Sequence, residues 1–197
     1  MVDAKAIRRV VRLVALLNLS YFGIEFAVAR AIGSVSLFAD SIDFLEDASV
    51  NGLILVALGW SAHRRSIVGM ILAAILLAPA LATAWTAWEK FASPLAPAAL
   101  PLSVTGLGAL AINLFCALLL AQYRARSGSL TRAAFLSARN DALANVAIVG
   151  AGLVTALTLS VWPDLIVGIG IFAMNLDAAR EVYNAAREER SAALSGP

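Results

Sequence analysis

Apolar residues in this chain come in long blocks, neither alternating as in a strand nor spaced like one stripe of a soluble helix. Blocks of about 17–25 residues are long enough to cross the hydrocarbon core of a bilayer. That window predicts six membrane helices, over residues 13–32, 35–60, 67–88, 102–122, 133–159 and 165 to about 176. The breaks between them are turn-like or charged: Gly33-Ser34, then 61–66, 89–101, 123–131 and 160–164. The pattern predicts an all-α integral membrane protein, a six-transmembrane-helix bundle built as three hairpins. Residues 1–12 read as a cytoplasmic N-terminal segment, 13–176 as the membrane domain and 177–197 as a short amphipathic tail.

Composition agrees. Of 197 residues, 61% are hydrophobic and only 14% charged, too few to give so much apolar surface a polar skin. A soluble enzyme, a disordered chain and a disulfide scaffold are all excluded. The single Cys116 rules out a disulfide framework, and the single His63 rules out a histidine-rich metal site. A net charge of +2 is too small to argue for nucleic acid.

The distribution of that charge matters more. With the N-terminus inside, twelve of the fifteen basic residues fall on the cytoplasmic side. Arg30 and Lys90 fall outside, and Arg139 lies within the membrane. This asymmetry predicts a multi-pass cell-membrane protein with both termini cytoplasmic. The basic start and Ala27-Val28-Ala29 imitate a signal peptide, but Asn18 and Glu25 interrupt the imitation, so the segment is read as helix one.

Six of the thirteen acids fall inside predicted spans: Glu25, Asp40, Asp43, Glu46, Asp47 and Asp141. A central aspartate costs roughly 2.5–3.5 kcal/mol on insertion scales, so intramembrane acids are functional by default. At about 100° per residue, with Asp40 at zero, Asp47 falls near 340°, Asn51 near 20° and Asp43 near 300°. Glu46 drifts to about 240° and reads as a partner for a neighbouring helix. Asp43 and Asp47 are one turn apart, so their oxygens can converge on one ion. Asp141 has Ser137 one turn before it and Asn145 one turn after. Rise per residue puts Asp43, Asp47 and Asp141 near the middle of the bilayer, at about 12–18 Å from the helix ends. Carboxylates gathered there repel unless a proton or cation binds, and an all-oxygen donor set favours harder ions.

With these residues in place, the chain resembles the cation diffusion facilitator family of metal/proton antiporters. The run Ser34-Val35-Ser36-Leu37-Phe38-Ala39-Asp40-Ser41-Ile42-Asp43, followed by Asp47, is similar to the family's helix-two signature. Asn18, Tyr21 and Glu25 match its polar first helix, and Asn113 an amide of its fourth. The resemblance implies that Asp43, Asp47 and Asp141 are three of four transport-site ligands. Where the family has His or Asp one turn before Asp141, this chain has Ser137. Asn140, Asn145, water or a rearranged Asp40 is left to complete the shell. Arg139 lies near enough to repel a cation or pair with an acid. The resemblance also implies a short form without the cytoplasmic domain that follows helix six in many members, and a homodimer held through membrane helices.

The function this implies is efflux of a divalent transition metal in exchange for protons, by alternating access. The cargo is zinc, cobalt or nickel by resemblance, and manganese or iron by donor chemistry, with no prosthetic group expected. Asp40, Glu25 and Asn18 are candidates for a gate or proton relay, with helix capping beside Ser34 and Ser36 an equal reading for Asp40. Asn140, Arg139 and Asn51 are candidate modulators. The alternative is a non-transporting membrane partner that keeps the fold. An enzyme is not expected, since no nucleophile–base pair accompanies the acids.

Overall fold

The computed structural model describes residues 4–57, 67, 81–122 and 129–194, and the described residues are helical apart from short connections. We number the helices α1 (Ala4–Ile32), α2 (Val35–Ala57), α3 (described over 81–92), α4 (Ala99–Ala121), α5 (Ser129–Thr158) and α6 (Trp162–Leu194). Among the described residues, three stretches are long and apolar enough to cross a membrane: Lys5–Ile32, Ala99–Ala121 and Ala138–Thr158. Arg64, Arg65, Arg124 and Arg126, which enter the charge asymmetry, lie outside the described residues, as does His63.

Two boundaries differ from the expected spans by more than a turn or so; the starts of α4, α5 and α6 shift only by three or four residues. Helix α1 starts at Ala4, so most of the basic leader is already helical. Helix α6 continues to Leu194 without a break at residue 176. Hydropathy locates where apolar character stops, whereas helical hydrogen bonding carries on through Ala-, Arg- and Glu-rich sequence of good helix propensity.

The α1–α2 corner is made by two residues. Gly33 adopts φ 64°, and Ser34 N–H bonds back to Ala29 C=O at 3.0 Å, the six-to-one closure that ends a helix on a left-handed glycine. Helix α2 then begins with each of its first amides satisfied. Val35 N–H donates to Asp164 Oδ2 at 2.9 Å and Ser36 N–H to Asp164 Oδ1 at 3.1 Å. Leu37 N–H donates to Ser34 Oγ at 3.1 Å, and Phe38 N–H to Ser34 C=O at 3.3 Å. The capping considered for Asp40 therefore falls to Ser34 and to Asp164, which reaches across from α6.

Packing is set by small residues. Tyr21 of α1 lies over Gly108 of α4 and donates to Thr105 C=O at 2.7 Å. Ser103 of α4 sits against Gly152 of α5, and Ile148 against Gly106. Close approach of this kind is how helices associate where no water drives them together. The outward faces carry large apolar side chains, such as Leu107, Leu114 and Leu118 on α4 and Leu143 and Leu153 on α5.

Helix α2 runs through the centre. Every residue from Ser34 to Ile42 is buried, whereas Asp43, Leu45 and Glu46 are only half-buried. The transition marks the edge of a cavity.

Candidate cation-binding cavity

The cavity, about 150 Å³, lies between α2, α5 and α6 and is lined by Asp43, Glu46, Asp47, Asn140, Asp141, Met174 and Asn175. Asp43 is at its electrostatic centre, within reach of Asp141, Asp40, Glu46 and Asp47. Four carboxylates on one small volume make a strongly negative potential, which a low-dielectric wall intensifies. Among the described residues, no group of three or more His, Cys, Asp or Glu closes tightly enough to form a ready coordination shell. Like charges this close favour a proton or a cation between them.

Two layers of hydrogen bonds support the cavity. Asn18 Nδ2 on α1 donates to Asp47 Oδ2 at 3.2 Å, and Cys116 Sγ approaches Asn18 Oδ1 at 3.8 Å. Asn175 Nδ2 donates to Ala39 C=O at 3.3 Å, tying α6 to α2 just above the acids.

A second polar chain runs one turn nearer the Gly33 end. Asn113 Nδ2 donates to Asn145 Oδ1 at 3.0 Å, and Asn145 Nδ2 donates to Asp40 Oδ2. Glu25, fully buried, faces Asp40. Neither oxygen of Glu25, nor Asp40 Oδ1, has a hydrogen-bond partner by geometry among the described residues.

The expected site residues thus separate into two groups. Asp43, Asp47, Asp141 and Asn140 line the cavity. Asp40, Glu25 and Asn145 form the buried chain beside it, and Asn18 braces Asp47 from outside. Asn51 turns back on its own helix, donating to Asp47 C=O at 2.8 Å. Arg139 is exposed and is not itself part of the lining, but its guanidinium donates at 3.2 Å to Oδ1 of Asn140, which is. Ser137 lies on α5, but its side chain is outside the described residues.

Three residues enter that the sequence did not single out for the site. Glu46 and Asn175 form part of the cavity wall. Asp164, at the start of α6, is fully buried and forms a network at the far end of α2. An amide within the apolar run of α6 was the available signal for Asn175. Ser34 and Ser36 without an acidic partner in the first turn of α2 were the signal for Asp164.

Helices α2, α5 and α6 thus enclose a cavity walled by four carboxylates and two amides, an oxygen-rich lining suited to a cation. The chain belongs to the cation efflux family, matching its transmembrane domain over residues 11–191. It is accordingly a multi-pass membrane protein of a cation-transporting family whose members are transporters rather than enzymes. No curated protein matches the chain.

Proposed function

We propose that this protein exports a divalent transition-metal ion in exchange for protons, through the cavity between α2, α5 and α6. The single observation carrying this reading is the convergence of Asp43, Asp47 and Asp141 on one cavity in the centre of a cation-transport fold. These three are the proposed ligands. Asn140, an amide at the cavity wall, is proposed to complete the shell where Ser137 replaces the usual donor. Asn145 is committed to Asp40 and Asn113, so it acts at one remove.

The cycle follows from competition for oxygen. With the cavity open to the cytoplasm, the ionised carboxylates attract the cation, and its charge offsets their repulsion. A change of helix packing then opens the site to the other side, where protonation of the same oxygens releases the ion. The protonated acids, mutually neutral, allow the return. Two-sided exposure of one site by such a population shift is alternating access.

Proteoliposomes containing a metal-sensitive dye test this directly. A pH gradient is expected to drive influx or efflux of zinc, cobalt, nickel, manganese or iron. Asp43→Ala and Asp141→Ala are expected to abolish it, and flux that survives both removes the site from consideration.

A further inference from the structure

The network around Asp164 has more strength than a helix cap needs. Asp164 is fully buried and accepts from Ser34 Oγ at 2.6 Å and Ser36 Oγ at 2.6 Å, besides the two α2 amides. The Lys90 ammonium, from the end of α3, stands 3.8 Å from Asp164 Oδ2 and also donates to Gly33 C=O. One carboxylate therefore joins the α1–α2 corner, α3 and α6. Beneath it α6 has no side chain to keep it off α2: a Cβ on Gly168 would lie 2.8 Å from Ser36 N. Hydrogen bonds to an ionised group are the strong ones, and in a buried setting they are costly to leave half-made.

The position of this network decides its meaning. Between it and Asp43, the residues of α2 from Ser34 to Ile42 are buried without exception. From Asp43 onward buried residues such as Phe44 and Asp47 are interspersed with half-buried ones, and Asp43, Glu46 and Asp47 line the cavity. Among the described residues, the network thus closes α2 against α6 on one side of the acids, the side that the charge distribution assigns outside.

We propose that Asp164, Lys90 and the Gly33–Ser36 corner are a lock on that side of the path, and that their separation admits the second side to the cavity. The inference rests on the alternating-access reading above. Helix α2 cannot part from α6 while Asp164 holds Ser34, Val35 and Ser36. When the carboxylate leaves, two backbone amides and two hydroxyls lose their acceptor together. The lock is therefore either made or broken, with no stable half-open form, which is the behaviour a two-sided transporter requires.

Paired cysteine reporters in a Cys116→Ala background test the lock. Ala39→Cys places a thiol on the sealed side, at a fully buried position. Met174→Cys places one in the cavity wall. Each is labelled with a membrane-impermeant maleimide from its own side of oriented vesicles, in otherwise unaltered protein and with Asp164→Asn or Lys90→Met. Breaking the lock is expected to raise the Ala39→Cys rate by about tenfold or more while lowering the Met174→Cys rate, the reciprocal change of a population shift. Rates that rise together mean general loosening and overturn the proposal, as do rates that do not move. If Asp164→Asn does not fold, judged by a monodisperse elution profile, Lys90→Met decides. Failure of the transport reading is separately visible as the absence of metal binding and flux in the unaltered protein, whatever the labelling rates.

Discussion

Asn18 Nδ2 donates to Asp47 Oδ2 at 3.2 Å, so α1, which contributes nothing to the cavity wall, still orients one of the wall's carboxylates. A hydrogen bond to an ionised group contributes about 1.5–3 kcal/mol. Asn18→Ala is expected to weaken metal binding by about 10- to 100-fold, the loss typical of an outer-shell partner. The half-saturating concentration in flux assays is the measurement, and an unchanged value denies Asn18 this role.

Glu46 stands in the same wall as Asp43 and Asp47. Glu46→Gln keeps its shape and removes a charge, so it is expected to weaken binding by less than Asp43→Asn does. A reduction of about tenfold is the scale of one Coulomb pair across a few ångströms of partly hydrated protein. Isothermal titration of both variants ranks them, and equal losses make Glu46 a full ligand.

Two glycines of α6 make a matched pair. A methyl at Gly168 would lie 2.7 Å from Val35 Cγ1 and 2.8 Å from Ser36 N, whereas nothing lies within 4 Å of one at Gly170. Gly168→Ala is expected to destabilise by about 1–3 kcal/mol through overpacking. Gly170→Ala is expected to stabilise by up to about 1 kcal/mol, since alanine is the better helix former. Thermal unfolding in one detergent compares them.

Lys90 gives a pH signature. Burial holds its ammonium below the usual lysine value, and Asp164 beside it offsets only part of that. The folded protein therefore releases this proton at lower pH than the unfolded chain. Between the two values the unfolded state binds more protons, so this group makes stability rise with pH through that alkaline window. Lys90→Met is expected to remove the rise. Melting temperatures at pH 8 and pH 10 test it, and a slope identical in both proteins places its source elsewhere.

A fifth test lies at the α5–α6 corner, where Leu159 is exposed with φ 52°. A left-handed conformation costs a residue with a Cβ roughly 1–2 kcal/mol. Leu159→Gly is expected to raise the melting temperature, and a fall shows that Leu159 makes contacts worth more than its strain.

Spacing along α2 was enough to show that Asp43 and Asp47 share a face, and apolar run lengths were enough to find the hairpin at Gly33. What spacing lacks is the rotation of a helix about its own axis relative to its neighbours. The stripe was centred on Asp40, but packing turns α2 so that the cavity faces a direction roughly 60° away, nearer Asp43. That rotation brings Glu46 into the wall and turns Asp40 towards Asn145 and Glu25. Asp164 was hidden for a different reason. A charge at a helix end ordinarily reads as solvated, and its four donors lie about 130 residues away in sequence.

Helix α6 has 33 residues, about 50 Å at 1.5 Å per residue, against a hydrocarbon core of about 30 Å. It starts at Trp162, two residues before Asp164, passes the cavity at Met174 and Asn175, and runs on through nearly twenty further residues. The last stretch is continuous helix from the cavity wall. One helix thus connects Asp164, which grips α2, with Asn175 at the cavity and with a segment longer than the bilayer core requires.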